Sequence, residues 1–330
     1  MRLVLVGDVM LGRLVNRMIK ERPPEVVWGD TLRFFTSADA SVCNLECVIS
    51  DRGTEWAPGT KAFHFRTDPK NIEALTKARI TAVTLSNNHS LDFGPVALAD
   101  TISTLDGAGI KRAGAGKSIT EAAGVAYFRA AGVECALLSF TDNEPEWEAR
   151  SDTPGVNFVP IDLNDPRAAS LLTAIGEAKK RAEIVIASPH WGPNRGYTPK
   201  PAHTGFARAM IDAGADIVFG HSCHVFQGVE LYRGRPIIYS AGDFIDDYAV
   251  DETERNDESF VFVVETDGAR LKRMLFYPTM IIRCEARAAR GFLAEEIAIK
   301  MKSLSAGLGT RLKWLEDEFC LELPIPDTGE

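Results

Sequence analysis

The sequence predicts an α/β protein, because short apolar runs alternate along the chain with segments that have the spacing of amphipathic helices. The apolar runs are rich in β-branched residues, which is typical of buried strands. The first helical segment has Asp68 ahead of Pro69, a common way for a helix to begin. The predicted strands are 2–7, 40–44, 81–86, 124–130, 133–140, 183–190, 215–220, 228–232, 236–240 and 259–265, and the predicted helices are 69–78, 95–108, 163–181, 202–213 and 291–304.

The second half of the chain has a different pattern from the first. Residues 228–244 and 259–277 each read as strand, turn and strand, with Arg-Gly and Asp-Gly at the turns. A mostly parallel first half is therefore expected to meet a more antiparallel second half, across a long loop at 141–162. Residues 1–290 are predicted to form one domain. Residues 291–330 are predicted to pack on it as a helical extension, made of a helix, a glycine-containing turn, a second helix and a short strand.

The composition of the 330 residues is that of an ordinary soluble globular protein, with 45% hydrophobic and 25% charged residues. The net charge of −9 argues against a nucleic-acid partner, because phosphate backbones are bound by clusters of Lys and Arg. No apolar run approaches the roughly 20 residues of a membrane-spanning helix, and the first residues run directly into a strand rather than a leader peptide. We therefore expect a cytoplasmic protein without a membrane partner, whose six scattered cysteines are free thiols.

Polar side chains follow several of the predicted strands at the point where each strand ends. In open α/β sheets, ligands bind beyond the carboxyl ends of the strands, so residues distant in sequence meet there. Each residue alone has an ordinary explanation: Asp8 as a helix cap, Glu46 as a surface charge, and His190 as a hydrogen-bonded core residue. Their repetition favours a common site, since carboxylate, amide and imidazole groups are donors that Mn, Fe, Zn or Ni accept. The candidates are Asp8, Asn44, Glu46, Asn87, Asn88, His89, His190, His221 and His224.

Five ordered segments resemble the motifs of CapA proteins, which are named for poly-γ-glutamate capsule synthesis and are related to calcineurin-like metallophosphatases. The resemblance covers most of residues 1–250. It implies a four-layer α/β/β/α sandwich of the metallo-dependent phosphatase type, with one site at the strand ends. The segments are GDVMLGR (7–13), CNLECVIS (43–50), TLSNNHSLDFG (84–94), SPHWG with a following Tyr-x-Pro (188–199), and GADIVFGHSCHVFQGVELYRGRPIIYSAGDFI (214–245).

The resemblance also implies a role for each candidate. His89 would protonate the leaving group or stabilise the transition state, with Asp92 as its acidic partner. The implied cofactor is one or two divalent ions of Mn, Fe or Zn. In the implied metal centre, Asp8 and His224 hold one ion, Asn88, His190 and His221 hold another, and Glu46 bridges the two.

Three departures from the family pattern affect these roles. Met10 stands where the superfamily often has a metal-binding His, so the ion at Asp8 would be weakly held or absent. Asp243 replaces a usual Asn, and residues 193–197 interrupt a usual Glu-Tyr pair; both changes lie where substrate contacts are expected. The candidates for contacting a substrate are Arg13, Asn44, Arg195 and Tyr197, the arginines because guanidinium groups bind anions through paired hydrogen bonds.

The favoured function is a metal-dependent hydrolase of a phosphoester or a related anionic substrate, with Glu46, His89 and Asp92 in catalytic roles. A metal ion lowers the pKa of its bound water toward about 7, which supplies hydroxide at neutral pH. One alternative has no metal ion in the working state: an acid–base isomerase or epimerase of a peptide or amino-acid polymer, with Cys223 as a further acid–base candidate. Another alternative is a non-catalytic protein that binds or assembles poly-γ-glutamate. The expected partner is a small anionic or peptide-like molecule, and the sequence sets no oligomeric state.

Overall fold

The computed structural model describes residues 1–57 and 61–326 of the chain. The predicted strands are present, most of them with ends shifted by a few residues. The strands are β1 (Arg2–Val9), β2 (Ala40–Leu45), β3 (Val48–Ile49), β4 (Arg66–Thr67), β5 (Ala82–Thr84), β6 (Lys111–Ala113), β7 (Ala115–Gly116), β8 (Ala126–Ala130), β9 (Val133–Thr141), β10 (Gly155–Val156), β11 (Ile184–His190), β12 (Ile217–Phe219), β13 (Val229–Tyr232), β14 (Arg235–Ile238), β15 (Asp243–Ile245), β16 (Glu258–Asp267), β17 (Arg270–Ile282), β18 (Glu285–Ala288), β19 (Lys313–Leu315) and β20 (Cys320–Pro324).

The helices include the five predicted segments and an additional group between β1 and β2. This additional group consists of two short α-helices and a 3-10 segment, Pro24–Thr31, that were not predicted. Further 3-10 turns lie at Pro69–Asn71, Pro145–Trp147 and Glu316–Glu318. The α-helices are α1 (Arg13–Glu21), α2 (Leu32–Thr36), α3 (Ile72–Lys77), α4 (Gly94–Gly107), α5 (Ile119–Ala122), α6 (Pro166–Lys179), α7 (Pro201–Ala213) and α8 (Gly291–Gly307).

Two large mixed sheets organise the chain. The larger sheet has the order β19-β20-β17-β16-β1-β2-β5-β6, with β15 also paired to β1 and β18 to β17. The smaller sheet has the order β13-β14-β12-β11-β9-β8. Strands near the centre are parallel, as in β1 with β2 and β11 with β9. The hairpins β13–β14 and β16–β17 are antiparallel, as their glycine-containing turns predicted.

The side chains of β1 alternate between two cores, because successive residues of a strand point to opposite faces. Leu3 and Leu5 lie in a core shared with residues of the smaller sheet, such as Ile186. Val4 and Val6 lie in a second core, together with residues of α1, α3 and α4. A third core lies between the smaller sheet and helices α6 and α7. The layers are therefore helix, sheet, sheet and helix, which confirms the predicted α/β/β/α sandwich.

The C-terminal segment adds strands as well as a helix. Helix α8 is present as predicted, but the predicted second helix is wrong: strand β19 and a single 3-10 turn occupy its place. Strand β20 pairs with β17 and extends the larger sheet, so the packing of β17 decided this structure more than local propensity did. Residues 327–330 lie outside the described residues, and the domain boundary at 290 stays a prediction. Among the described residues, no helix combines the length and apolarity required to cross a bilayer.

The end of β1 depends on a close backbone approach at Gly7. A Cβ atom there would lie 1.9 Å from the carbonyl oxygen of Gly242, which accepts a hydrogen bond from the amide of Asp8. We expect Gly7→Ala to lower the free energy of unfolding by about 1–3 kcal/mol, since backbone must move to admit the methyl group. The control is Gly205→Ala in α7, where no atom lies within 4 Å; it should stabilise by about 0.5–1 kcal/mol. Denaturant unfolding measures both, and equal stability of the two variants would contradict the close approach.

Candidate metal centre and cleft

The candidate site lies where strands from the two sheets end close together. Asp8 and Asn44 lie near the ends of β1 and β2, and His190 ends β11. The Nδ1 atom of His221, just beyond β12, lies 3.6 Å from Asp8 Oδ1. Asn44 Nδ2 lies 3.4 Å from His190 Nδ1. The structure thus brings together four candidates that are far apart in the sequence.

The two buried imidazoles lie in direct contact. The Nδ1 atoms of His190 and His221 are 2.8 Å apart, and His190 Nε2 lies 2.9 Å from Asn88 Oδ1 and 3.8 Å from Glu46 Oε1. Burial lowers the pKa of His221 to about 3 and that of His190 well below its usual range. Both rings are therefore neutral at pH 7, and neutral imidazole is the form that binds metal ions.

Buried carboxylates face these imidazoles. Asp8 and Glu46 are each 1% exposed. Asn44 Nδ2 donates to Asp8 Oδ1 at 2.7 Å, whereas Glu46 Oε1 has no hydrogen-bond partner among the described residues. Burial raises the pKa of Asp8 to about 6 and that of Glu46 well above its usual range. A carboxylate stays ionised in such a buried place only beside a positive charge, so the ionised form of this pair requires a cation close by.

A divalent metal ion fits this requirement. Within residues 1–57 and 61–326, the ion pairs of Asp8 and Glu46 involve only histidine, not Lys or Arg. One donor atom from each of Asp8, His190 and His221 lies within 4.8 Å of the others. Carboxylate oxygen together with imidazole nitrogen is a ligand set typical of Zn, Mn or Fe. The residues at the strand ends therefore form a candidate metal-binding group.

His224 and Asp243 lie on the other side of Asp8. His224 Nδ1 lies 3.0 Å from Asp243 Oδ1. The backbone that carries His224 is unusual, since Ser222 and His224 have φ values of 103° and 56°. Such angles are uncommon for residues other than glycine and often occur where a side chain must be aimed into a site. Asp243, which was expected where substrate contacts occur, is fully buried beside His224, a residue of the cleft lining described below, and is not itself in that lining.

The turn after β5 positions His89. Asn87 Nδ2 donates to Asn44 Oδ1 and to the carbonyl of Leu45, while Asn87 Oδ1 accepts from the amide of His89. His89 Nδ1 lies 2.6 Å from Asp92 Oδ2, which leaves Nε2 as the ring nitrogen available to a ligand. Burial raises the pKa of Asp92 to about 7 and lowers the pKa of His89 well below its usual range. The pair can therefore hold one shared proton near neutral pH.

A cleft of about 630 Å³ opens above these residues. Its charged lining is mixed, with Arg13, Lys61 and Arg195 beside Glu144, Asp251 and Glu254. Phe65 packs on the His89 ring with centroids 4.0 Å apart. An anion entering the cleft would meet these cations beside the buried carboxylates. The described residues lining it are Arg13, Lys61, Ala62, Phe63, Phe65, Asn88, His89, Glu144, Asn194, Arg195, His224, Tyr248, Ala249, Asp251, Glu254 and Asn256.

Two predicted substrate contacts lie outside this lining. Asn44 is buried beneath it and bonds to Asp8. The hydroxyl of Tyr197 donates to the carbonyl of Glu254 and lies 3.4 Å from Lys300 Nζ of α8, so Tyr197 joins the cleft wall to the C-terminal helix. Arg195 does line the cleft, but at its exposed rim, 3.6 Å from Asp251.

Several residues of the site were missed by sequence reasoning. Lys61 Nζ donates to the carbonyl of Asn88 and lies 3.5 Å from Asp92 Oδ1, although it belongs to an irregular segment without a pattern. Asp246 is a further buried carboxyl, and the hydroxyl of Tyr248 donates to Glu46 Oε2 at 3.4 Å. The signal that could have found the last two is their position directly after the apolar strand β15.

Comparisons with known proteins identify relatives of this chain. A probable polyglutamine synthesis accessory protein of Mycobacterium tuberculosis is 34% identical over 313 residues, covering 90% of this chain and 81% of that protein. The PGA biosynthesis protein CapA of Bacillus subtilis is 32% identical over 244 residues, covering 73% of this chain and 62% of that protein. A crystal structure of a hypothetical protein from Thermus thermophilus aligns with a TM-score of 0.49 at 15% identity, covering 84% of this chain and 98% of that one.

The family assignment rests on the length of the match as well as on these relatives. The sequence model of the bacterial capsule synthesis protein PGA_cap matches residues 2–248. This range contains the strand-end residues of the candidate site and all five segments on which the resemblance was based. The chain therefore belongs to the bacterial capsule synthesis protein family PGA_cap, the family of CapA.

Proposed function

We propose that this protein is a metal-dependent hydrolase of an anionic substrate. The observation that carries the proposal is the meeting of neutral imidazoles with buried carboxylates whose ion pairs, among the described residues, involve only histidine. This group lies at the base of a cleft that Arg13 and Lys61 help to line. Asp8, His190 and His221 would hold a metal ion, with Glu46 and Asn88 beside them. When bound, the ion would supply hydroxide at neutral pH and neutralise charge on the substrate.

The chain's own residues would perform the remaining tasks. Arg13 and Lys61 would attract and orient an anionic group through charge-assisted hydrogen bonds. His89 would deliver a proton from Nε2 to the leaving group, while its Nδ1 takes the proton of Asp92. The buried position of this pair keeps the proton away from bulk water until a substrate occupies the cleft.

The names of the relatives suggest the first substrates to test. Two of them are named for polyglutamine synthesis and for PGA biosynthesis. Poly-γ-glutamate carries a carboxylate on every residue, and Arg13 and Lys61 in the cleft lining would offer partners for such groups. We therefore propose a role in the synthesis or trimming of this polymer, through hydrolysis of an amide or a phosphoester.

Metal content tests the proposal directly. We expect protein purified without a nickel column to contain one to two equivalents of Mn, Fe or Zn by plasma mass spectrometry. His221→Ala should lose at least one equivalent, together with hydrolysis of bis(p-nitrophenyl) phosphate or of γ-glutamyl peptides. The control is His203→Ala, a buried histidine of α7 whose ring nitrogens have no hydrogen-bond partner in the described chain. Wild-type protein that takes up neither Mn nor Zn would contradict the proposal.

A non-catalytic assembly role is the second candidate, and the relatives' names favour it. Metal-loaded protein that binds poly-γ-glutamate but cleaves none of the tested substrates would support it. The isomerase alternative has less support from the geometry. Cys223 Sγ donates to the carbonyl of Gly196, and burial raises the pKa of Cys223 to about 12, so its thiolate is scarce at neutral pH.

A further inference from the structure

Asp243 begins β15 and is held beside Asp8 by the backbone. Strands β1 and β15 are parallel, and Asp8 is the direct partner of Asp243 in their register. The register fixes both side chains at the same height in the sheet. Two carboxylates side by side at 0% and 1% exposure repel each other, so one of them takes up a proton or a cation lies between them.

The Asp243 carboxylate has an incomplete set of partners. Its Oδ1 lies 3.0 Å from His224 Nδ1, but no amide or hydroxyl group of the described residues donates to its buried Oδ2. Asp246 is itself a buried acid and lies within hydrogen-bonding reach of Asp243, so the two carboxyl groups can share a proton when no metal ion is bound. No ion pair between Asp243 and a Lys or Arg occurs in the part of the chain that the structure describes, where its one ion-pair partner is His224.

The donor atoms around Asp243 form a group distinct from the pair His190 and His221. One donor atom from each of Asp8, His224 and Asp243 lies within 4.8 Å of the others. Asp8 belongs to both groups. Met10, two residues beyond Asp8, supplies no donor atom to this second group. Its sulfur accepts a hydrogen bond from the amide of Gly12 at 3.0 Å.

The two groups differ in chemistry. The first combines one carboxylate with two imidazoles, whereas the second combines two carboxylates with one imidazole. Oxygen-rich sites suit harder cations such as Mn²⁺, and imidazole-rich sites suit Zn²⁺. Because Zn²⁺ generally binds more tightly than Mn²⁺, one equivalent of zinc should fill the imidazole-rich group first.

We propose that Asp243 is a metal ligand and that, with Asp8 and His224, it forms an oxygen-rich second site for Mn²⁺. This inference rests on the proposed function in requiring a metal centre at Asp8. The sequence led us to expect a weakly held ion at Asp8, because Met10 stands where the superfamily often has a metal-binding His. The inference instead assigns Asp243 as the additional ligand of that ion. The missing donor comes from a different strand, and the resulting centre holds two chemically different ions.

Two matched variants test the assignment. Asp243→Asn and Asp246→Asn each replace one buried carboxyl group by an amide with almost no change of shape, but only the first replaces a donor of the proposed site by a weaker, neutral one. Metal-free protein is given one equivalent of Zn²⁺ and titrated with Mn²⁺. The electron paramagnetic resonance signal of free Mn²⁺ gives the affinity, and plasma mass spectrometry after gel filtration gives the stoichiometry. Thermal unfolding of the metal-free variants verifies that both are folded.

We expect wild type and Asp246→Asn to retain one zinc and one manganese per chain. Asp243→Asn should retain zinc and bind manganese at least about 10-fold more weakly, since loss of even indirect support for a ligand costs 10–100-fold. Wild-type manganese affinity in Asp243→Asn would overturn the assignment, as would an equal loss in Asp246→Asn, which would indicate an effect of charge alone. Wild type that holds zinc but no manganese would overturn only the second site, whereas wild type that holds neither ion would overturn the proposed function as well.

Discussion

His89→Gln should lower kcat by about 10²–10⁴-fold on phosphodiesters with poor leaving groups, while the metal content stays unchanged. The reason is that general acid catalysis contributes this much when a leaving group must be protonated. His89 lines the cleft, and its Nδ1 is engaged by Asp92, so Nε2 is the atom that can reach a substrate. Steady-state kinetics on methyl and p-nitrophenyl diesters measures the effect.

The two diesters separate a proton donor from a residue that only shapes the cleft. p-Nitrophenolate leaves without a proton, so its release should be slowed far less than that of methoxide. The control is His64→Gln, a half-buried histidine whose Nε2 lies 3.1 Å from the carbonyl of Trp56. Equal losses on the two substrates would show that His89 does not act as the acid.

Asp92→Asn should lower kcat by up to about 10⁴-fold, although Asp92 is a positioning residue that does not line the cleft. An amide cannot supply a proton to His89 Nδ1 as the carboxyl does, and it can hold the ring in the wrong tautomer. Because burial raises the pKa of Asp92 to about 7, the pair keeps its proton below this pH and loses it above. In a profile of kcat against pH, the wild-type rate should therefore fall as the pH rises through about 7. This fall should be absent in Asp92→Asn.

The double variant decides whether the two residues act as one unit. Groups that work together give losses that do not add, so His89→Gln with Asp92→Asn should be about as slow as His89→Gln alone. If the fold-losses in kcat of the two single variants multiply in the double variant, the two residues act independently. A fall of the rate above about pH 7 that persists in Asp92→Asn would lead to the same conclusion. Lys61 is a useful comparison, because it pairs with Asp92 without touching the His89 ring in any described hydrogen bond.

The strand ends were predictable because two simple rules act together. An apolar run marks a buried strand, and parallel strands carry their carboxyl ends to one edge of a sheet. Asp8, His190 and His221 each follow such a run, and the structure places them within a few ångströms of one another. The resemblance to CapA proteins predicted the four layers of the sandwich. The structure agrees, because alternating side chains of β1 fill two different cores.

The position of Asp243 was not predictable, since it depends on the register between β1 and β15 rather than on any local pattern. Lys61 was missed because it lies in an irregular segment, where no periodicity identifies a buried face. The prediction of a second helix in the C-terminal segment was wrong for a related reason. Strand β17 has an edge to which β20 can bond, and this tertiary pairing outweighed the helical composition of residues 311–318.

The base of the cleft is built from strands, whereas much of its charged rim is built from irregular segments. Strand β1, which carries Asp8, is hydrogen bonded to β2 and β16. Arg195 and Asp251 sit on loops outside both sheets. Local opening of a loop costs less free energy than opening a central strand. The rim can therefore be remodelled by substitution without loosening the ligands below it, so specificity in this fold can evolve separately from chemistry.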